Sequence, residues 1–304
     1  MFFSSCLSKS VKSILLRVSP TMEAIITTES GGKRTIITPT KLGDAEIRAR
    51  NSNFVGLSPI PNQLKNIATP TERPFRVSVE GNIGAGKSTF IKYFSQFPEI
   101  ETYAEPIEWW RNCQGHNLLE LLYKDIEKWH STFQTYVQLT RVKIQSSKPT
   151  KSSTTVQMFE RSVQNNRFCF VEQAYNNGYL NVIDYDIQDK WYRWIRQYLD
   201  IDLDLIVYLR SSPETAYERT VARNRSEESG ISLEYLKQLH DAHERWLMSN
   251  DDRFNTIPVV VLDADKTIND IIAEYKLHEH KIMGHEKKGQ QAVSKDDKER
   301  VKNL

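Results

Sequence analysis

Residues 81–89 combine glycines, a lysine and hydroxyl side chains at a spacing that could bind phosphate. Gly81, Gly86, Lys87 and Ser88 fit the pattern G-x-x-x-x-G-K-[ST] of the phosphate-binding loop. Because glycine has no Cβ, such a loop can turn successive backbone N–H groups toward an anion. The lysine can reach the outer phosphates of a nucleotide, and the serine hydroxyl suits Mg²⁺. The motif therefore predicts binding of a nucleoside triphosphate together with Mg²⁺.

The residues on either side of this loop have the patterns of a strand and a helix. Phe75, Val77 and Val79 alternate before it, and 89–97 places aromatic and aliphatic residues at helical spacing after it. A chance match in an ordinary glycine-rich turn is the alternative. A phosphate-binding loop needs a strand before it and a helix after it, and both are present, which favours a real site.

Acidic groups follow two further predicted strands. Glu105 follows 100–104, and Glu160 with Arg161 follows 155–159. Ligands of open parallel sheets bind beyond the carboxyl ends of the strands. A carboxylate beside the γ-phosphate could accept a proton from an attacking hydroxyl, which makes Glu105 a candidate general base. The alternative is a solvated glutamate at a strand end.

The predicted helix that begins at Trp129 places three side chains on one face. Gln134, Val137 and Arg141 are spaced i, i+3 and i+7, and Phe133 is adjacent. A glutamine amide offers both a donor and an acceptor, so it can pair with the edge of a nucleobase. The pattern alone favours the simpler interpretation of a partly polar helix face.

A predicted loop at 224–230 is dense in charge. Arg219, Arg223 and Arg225 stand before or within it, and two glutamates follow. An arginine-rich loop can close over phosphates and neutralise charge in a transition state. The alternative is a solvated helix end with local ion pairs, but the phosphate-binding loop elsewhere favours an arginine-rich lid.

The elements that would position these groups alternate between strand and helix, which predicts an α/β fold with a parallel sheet flanked by helices. Strands are predicted at 75–80, 100–104, 155–159, 203–209 and 257–262. Helices are predicted at 117–129, 129–146, 163–176, 186–199, 213–223, 232–248 and 268–275.

Size and charge exclude several classes of protein. The chain has 304 residues and 39% hydrophobic content, enough for one sizeable core with extensions. Its formal net charge of +2 gives no strong field for a nucleic-acid polymer or a membrane. Three separated cysteines without a C-x-x-C pair argue against zinc and disulfides. No apolar run reaches the length of a transmembrane helix.

The two ends of the chain differ from the middle. Residues 1–22 are serine-rich and basic without an acid, as in a mitochondrial transit peptide, so mitochondrial localisation is predicted with a cytoplasmic form as the alternative. Residues 23–73 are predicted to be a disordered linker, 74–279 the folded domain that contains the phosphate-binding loop, and 280–304 a disordered charged tail.

Several blocks, taken in order, resemble the deoxyribonucleoside kinases, above all the insect multisubstrate and mitochondrial thymidine kinase branches. The resemblance covers about residues 74–278. It rests on Gly-Asn-Ile-Gly-Ala-Gly-Lys-Ser-Thr at 81–89, Glu-Pro-Ile-Glu-Trp-Trp at 105–110, Asn-Leu-Leu-Glu-Leu-Leu-Tyr at 117–123, Phe-Gln-Thr-Tyr-Val at 133–137, Glu-Arg-Ser at 160–162 and Arg-Asn-Arg-Ser-Glu-Glu at 223–228.

This resemblance implies phosphorylation of a deoxyribonucleoside at its 5′-hydroxyl by ATP, with Mg²⁺, in a homodimer. It implies that Glu105 is the general base, that Arg161 steadies it, and that Lys87 acts on the phosphates. Glu160 and Ser88 would hold Mg²⁺. The implied nucleotide-binding residues are Gly81, Asn82, Ile83, Gly84, Ala85, Gly86, Lys87, Ser88, Thr89, Arg219, Arg223 and Arg225. The implied nucleoside-binding residues are Glu105, Trp110, Tyr123, Phe133, Gln134, Val137, Arg141, Arg161, Asn166, Phe170 and Glu228, with Tyr123 and Glu228 on the 3′-hydroxyl.

Two positions depart from the family pattern. Arg141 is matched by an apolar residue in thymidine-preferring relatives, and by an arginine paired with an aspartate in the deoxycytidine and deoxyguanosine kinases. Here Asn166 stands at that aspartate's place. Such an arginine would favour acceptor-rich base edges, or would turn to solvent and leave a roomier pocket. Val221 stands where relatives carry another basic lid residue.

Three other functions share features with this one. A nucleoside monophosphate kinase has the same loop and arginine-rich segment, but it would need a basic acceptor site near Glu105. A non-catalytic accessory subunit of the respiratory chain shares the fold, but Lys87, Glu105 and Arg161 argue against it. A GTPase is disfavoured because the chain has no Asn-Lys-x-Asp motif.

Overall fold

The computed structural model describes residues 73–249 and 255–285. Five strands are formed, β1 (Phe75–Glu80), β2 (Ile100–Tyr103), β3 (Val156–Glu160), β4 (Leu205–Arg210) and β5 (Val259–Asp263). The α-helices are α1 (Lys87–Phe94), α2 (Ile107–Arg111), α3 (Leu118–Lys124), α4 (Ile126–Gln145), α5 (Val163–Asn165), α6 (Glu172–Asn176), α7 (Val182–Tyr198), α8 (Pro213–Arg223), α9 (Leu233–Leu247) and α10 (Ile268–Ile282). A π-helical segment, Asn166–Val171, joins α5 to α6, and a 3-10 helix, Ser226–Gly230, precedes α9.

All strand pairs in the sheet are parallel, and the strand order is β2-β3-β1-β4-β5. The order places β1, which leads into the glycine-rich loop, at the centre. Val79 of β1 pairs with Glu160 of β3, and Tyr103 of β2 pairs with Phe159. The carboxyl ends of these three strands therefore lie at one edge, as the predicted site requires.

The core lies on both faces of the sheet, which explains the nearly continuous apolar run of β4. On one face Val207 packs with Phe90 of α1 and Tyr275 of α10. On the other face Ile206 and Tyr208 pack with residues of α9. Buried apolar side chains on two sides of each central strand hold the strand ends, and hence the site, in place.

Helix caps account for where several helices begin. Ser212 and Ser232 accept hydrogen bonds from backbone N–H groups in the first turns of α8 and α9, as predicted for α9. The helix break predicted near Trp129 lies instead at Asp125, whose carboxylate caps α4 by accepting from Lys128 N. An acidic cap satisfies the free N–H groups of a first turn, whereas a tryptophan cannot.

The largest differences from the predicted elements lie in the second half of the chain. The single helix predicted at 163–176 contains the π-helical segment, and the helix predicted at 186–199 begins at Val182. The last helix continues to Ile282, well past residue 275. Because Ile282 and Met283 are buried against the core, the packed part of the chain extends beyond residue 280, where the charged tail was predicted to begin.

The predicted leader and almost all of the predicted linker lie in residues 1–72, outside the described residues, as do 286–304. In the described part of the chain, no helix combines the length and the apolar character needed to cross a bilayer. Cys113 and Cys169 are both free thiols in that same part.

Candidate active site

A cavity of about 580 Å³ opens beyond the carboxyl ends of β1, β2 and β3. Nearly all the residues predicted for the site line it. From that set these are Ile83, Gly84, Gly86, Lys87, Ser88, Thr89, Glu105, Trp110, Tyr123, Phe133, Gln134, Val137, Arg141, Glu160, Arg161, Phe170, Arg219, Arg223, Arg225 and Glu228. The other four predicted residues, Gly81, Asn82, Ala85 and Asn166, do not line it. The predicted residues that line this cavity, from Ile83 to Glu228, are up to 145 positions apart in the sequence.

The glycine-rich loop is held between two helices. Gly84 has φ +83°, and a Cβ there would lie 2.3 Å from the carbonyl oxygen of Ala216 in α8, so only glycine fits. Asn82 donates from Nδ2 to the Leu236 carbonyl of α9 at 2.8 Å, which fixes the loop on its other side. Gly86, with φ +91°, is the residue before α1, so the N-terminus of α1 faces the cavity.

Lys87 is buried at the floor of the cavity. Its Nζ donates to the carbonyl oxygens of Asn82 at 2.7 Å and Gly81 at 3.2 Å. Burial, and then the positive charge of Arg161, lower the pKa of Lys87 to about 7. An anion bound in this cavity would restore the charged form, because a nearby negative charge raises the pKa of a lysine.

Ser88 and Glu160 provide two oxygen atoms side by side. The Ser88 hydroxyl donates to Glu160 Oε1 at 2.9 Å. In the described residues, no cluster of three or more His, Cys, Asp or Glu side chains could hold a metal by itself. Mg²⁺ commonly uses one or two protein oxygens together with phosphate oxygens and water, so these donors fit that ion.

Two arginines, Arg161 and Arg141, donate hydrogen bonds to the carboxylate of Glu105. Arg161 Nη1 donates to both carboxylate oxygens at 2.8 Å, and Arg141 Nη2 donates to Oε1 at 2.7 Å. Burial alone would raise the pKa of Glu105, but the charges of Arg161, Arg141 and Lys87 outweigh it and lower the pKa to about 2. The carboxylate is therefore ionised at neutral pH, which is the form that a general base requires.

The contact between Arg141 and Glu105 corrects the expectation for Arg141. We expected an arginine without a carboxylate partner, facing a base or turned to solvent. The side chain is instead 5% exposed and paired with Glu105, and its Nη1 donates to Ser162 O at 3.2 Å and Asn165 Oδ1 at 3.3 Å. The carboxylate that pairs with Arg141 lies 36 positions earlier in the sequence, after a strand end. Helical spacing relates only residues a few positions apart, so it could not reveal this partner.

A buried carboxylate below the cavity was not predicted. Glu80, the last residue of β1, accepts hydrogen bonds from Ser78 and Ser162, the latter at 2.6 Å. Ser162 caps α5, and the residue before it, Arg161, has a left-handed φ of +62°. Burial raises the pKa of Glu80. These contacts support a strained backbone at Arg161, the kind of geometry that accumulates at functional sites.

The wall of the cavity beyond Glu105 is aromatic. Trp110 and Phe133 meet edge to face with ring centroids 5.6 Å apart. Phe170 lies under the guanidinium of Arg161 at 5.2 Å. Asn166 does not face the cavity; its Nδ2 donates to Gln134 Oε1 at 2.7 Å. The chamber can therefore enclose a flat ring, with the Gln134 amide held in place by Asn166.

The predicted arginine-rich segment forms the opposite wall. Arg223 and Arg225 donate to the two oxygens of Glu228 at 2.6 and 2.7 Å. Arg219 donates to the Ala264 carbonyl at 2.7 Å, while Val221 is 59% exposed and points away. This wall therefore contains both basic groups that could bind phosphates and a carboxylate that could bind a hydroxyl group.

Some lining residues were not singled out from the sequence. These are Ala104, Ile107, Leu119, Leu122 and Tyr235. Leu119 and Leu122 share a helical face with Tyr123, and that spacing could have pointed to them. Tyr235 belongs to α9, and no local pattern distinguishes it from a core tyrosine.

Comparison with known proteins agrees with this geometry. The family model of deoxynucleoside kinases matches residues 77–288. The chain is 38% identical to human mitochondrial thymidine kinase 2 over 231 residues, which is 74% of this chain and 86% of the relative. It is 35% identical to human deoxycytidine kinase over 222 residues, 64% of this chain and 85% of that enzyme. It is 36% identical to mitochondrial deoxyguanosine kinase of Xenopus laevis over 216 residues, 63% and 82% of the two chains.

The match to the family model spans the glycine-rich loop, Glu105, the Glu-Arg-Ser block and the arginine-rich segment. These matches confirm the family that the sequence blocks indicated, and with it the parallel P-loop fold and a kinase activity in nucleoside salvage. The chain belongs to the deoxynucleoside kinase family.

Proposed function

We propose that this enzyme transfers the γ-phosphoryl group of ATP to the 5′-hydroxyl of a deoxyribonucleoside, with Mg²⁺. The observation that carries the proposal is the position of Glu105. Its ionised carboxylate, held by Arg161, shares one cavity with Lys87 and the N-terminus of α1. A carboxylate and a phosphate cradle that face each other are what in-line transfer to an alcohol requires.

The roles of the residues follow from their positions. Glu105 accepts the proton of the 5′-hydroxyl as the O–P bond forms. Arg161 keeps the carboxylate aimed and neutralises charge on the transferred group. Lys87 and the loop N–H groups bind the donor phosphates. Ser88 and Glu160 would hold Mg²⁺, which would neutralise charge on the phosphates.

The nucleoside occupies the aromatic end of the same cavity. Trp110, Phe133 and Phe170 enclose the base, and Gln134 pairs with its edge. Tyr123 and Glu228 bind the sugar 3′-hydroxyl. Arg219, Arg223 and Arg225 form the lid over the donor phosphates; those that hold Glu228 here would exchange it for phosphate oxygens.

Turnover of the four natural deoxyribonucleosides with Mg-ATP tests this function, with the corresponding monophosphates as competing acceptors. We expect phosphorylation of nucleosides and little of monophosphates, because the acceptor end holds a carboxylate and aromatic rings. Preference for monophosphates would instead indicate a nucleoside monophosphate kinase. Absence of any ATP-dependent transfer would support a non-catalytic subunit of the same fold.

The contacts of the base-reading groups favour acceptor-rich bases. Because Gln134 Oε1 is committed to Asn166, the amide offers a base its Nε2 donors. Arg141 lines the same cavity, and its Nη2 has a second N–H beside the one that donates to Glu105. Two sets of donors suit purine N7/O6 or the acceptor edge of cytosine better than thymine N3–H.

Arg141→Met is therefore expected to raise the ratio of thymidine to deoxyguanosine turnover by about tenfold, since one hydrogen bond from a charged group is worth roughly 1.5–3 kcal/mol. The ratio of kcat/KM values is the quantity to measure. Loss of the Arg141–Glu105 ion pair affects both substrates alike, so it cancels in this ratio. An unchanged ratio would show that Arg141 does not read the base.

An exposed apolar stripe on α7 supports a homodimer. Ile183, Ile187 and Trp191 lie on one helical face and are 68%, 47% and 52% exposed. A row of large apolar side chains in water is typical of a protein–protein contact. Ile187→Glu is expected to halve the mass measured by sedimentation from twice 35.4 kDa. Leu277→Glu, at an isolated residue 77% exposed on α10, is the matched control and should leave the dimer intact.

We also propose a mitochondrial location. The basic, serine-rich composition of residues 1–22 and the mitochondrial relatives support it. A fusion of residues 1–22 to a fluorescent protein is expected to enter mitochondria, and a cytoplasmic signal would reject the transit peptide.

A further inference from the structure

Two consecutive glutamates in the 3-10 helix Ser226–Gly230 have different partners. Glu228 lines the cavity and binds Arg223 and Arg225. Glu227 binds Arg111 of α2, with Nε to Oε1 at 2.6 Å and Nη2 to Oε2 at 3.1 Å. One carboxylate therefore belongs to the site, and its neighbour ties the segment to another wall of the cavity.

The wall in question is the acceptor side of the cavity. Arg111 is the last residue of α2, the short helix that begins two positions after Glu105 and contains Trp110. The 3-10 helix also packs against α3, which carries Tyr123. The ion pair thus joins the arginine-rich segment to the helix that follows the candidate base.

The ion pair between Arg111 and Glu227 is held more firmly than a typical ion pair at a protein surface. Two parallel N–H···O contacts fix the guanidinium and the carboxylate in one plane. The Glu227 side chain is only 7% exposed and that of Arg111 is 31% exposed. The hydrogen bond from Arg111 is the main reason that the pKa of Glu227 falls to about 2. Arg111 Nη1 also donates to Glu108 at 2.8 Å, which holds the guanidinium in place.

We propose that Arg111 is a positioning residue for the nucleoside, acting through Glu227 to hold Glu228 where a sugar hydroxyl binds. The proposal rests on the proposed function for the role of Glu228. A carboxylate next to a fixed residue of a short 3-10 turn cannot move far. Without the pair, the segment keeps its packing against α3, but the remaining ion pairs of its glutamates are those of Glu228 with Arg223 and Arg225, which phosphates can draw away.

Steady-state kinetics of Arg111→Met, Glu227→Gln and the double variant test this proposal. Each single change is expected to raise the KM for the deoxyribonucleoside by about tenfold while kcat falls by less, since the loss is in holding the substrate. The double variant should be no worse than either single variant, because both remove one interaction. The charge exchange Arg111→Glu with Glu227→Arg should recover part of the affinity.

A 2′,3′-dideoxynucleoside separates positioning from general damage. It lacks the hydroxyl that Glu228 binds, so Arg111→Met should change its KM by less than about twofold. A loss equal to that of the deoxyribonucleoside would overturn the proposal. So would single variants with unchanged KM, or a double variant whose losses add.

Arg73→Met is the matched control. Arg73 also makes two contacts to one carboxylate, at 2.6 and 2.9 Å to Asp204, with comparable exposure of the arginine, but beside the start of β1, away from the cavity. This variant should leave both KM values unchanged.

Amide hydrogen exchange of the nucleotide-free protein gives a result that needs no activity. Arg111→Met should speed exchange in residues 226–230, and Arg73→Met should not. If exchange in these residues is unchanged, the proposal fails whatever the kinetics show. If the wild-type chain phosphorylates no nucleoside although exchange responds as expected, the proposed function fails and the contact alone stands.

Discussion

Glu105→Gln is expected to lower kcat by roughly 10²–10⁴, the usual contribution of a positioned general base. The amide keeps the size of the side chain and one acceptor for Arg161, but it cannot take the proton of the 5′-hydroxyl. With a pKa of about 2, the native carboxylate is a weak base. Proton transfer therefore accompanies phosphoryl transfer rather than preceding it, in keeping with a loose transition state.

Single-turnover and steady-state rates with Mg-ATP measure this effect. The KM for ATP should change little, because Glu105 lies at the acceptor end of the cavity. Glu101→Gln is the matched control: Glu101 lies on β2, the strand that precedes Glu105, and accepts hydrogen bonds from Tyr103 and Thr150, but it does not line the cavity. A Glu105→Gln enzyme with nearly native kcat would remove Glu105 from the mechanism.

The lowered pKa of Glu105 also determines how kcat/KM depends on pH. A carboxyl group whose folded-state pKa is lowered stays ionised until the pH approaches that value, about 2. The profile of kcat/KM between about pH 5 and 9 should therefore contain no acid limb from Glu105. An acid limb that disappears in Glu105→Gln would contradict the ion pairs described for this residue.

Gly84→Ala is expected to have the second largest effect, a loss of roughly 3 kcal/mol or more of unfolding free energy together with loss of nucleotide binding. The new Cβ would lie 2.3 Å from the Ala216 carbonyl oxygen and 2.8 Å from Thr220 Oγ1. Both atoms belong to α8, which is packed into the core and cannot move cheaply. The left-handed φ of +83° adds strain of its own.

Gly86→Ala separates these two causes. Gly86 also has a left-handed φ, +91°, but no atom lies within 4 Å of the point that a Cβ would occupy. Only backbone strain of about 1–3 kcal/mol remains there. Urea unfolding of the two nucleotide-free variants measures the difference. Equal losses would mean that contact with α8 does not constrain the loop.

Much of the fold could be predicted from local patterns in the sequence. The alternation of short apolar strands with helices predicted the parallel sheet, and the glycine-rich loop predicted the strand before it and the helix after it. These signals are strong because a strand buried on two faces must be apolar, and because a close approach to phosphate requires glycine. The extent of α10 was missed, since charged residues on its exposed face hide Ile271, Tyr275 and Ile282, which are buried.

The partners of the charged groups could not be read in this way. Glu105, Arg141 and Arg161 were each selected from the sequence, yet the pairing of Arg141 with Glu105 was not foreseen. Arg111 and Glu227 are 116 positions apart in the sequence, so no local spacing of residues could predict their contact. Strand order and helix packing decide which distant residues meet.

The linear order of residues thus predicted a cradle for phosphates and a carboxylate at a strand end, and the resemblance to the family added an amide for a base edge. Those signals are local because loops, caps and strand ends impose steric demands on single residues. Which carboxylate each arginine holds, and how low the pKa of Glu105 falls, were settled only when the folded chain buried these charges together. Electrostatic energies depend on distance and burial, and neither quantity exists until the sheet and helices have packed.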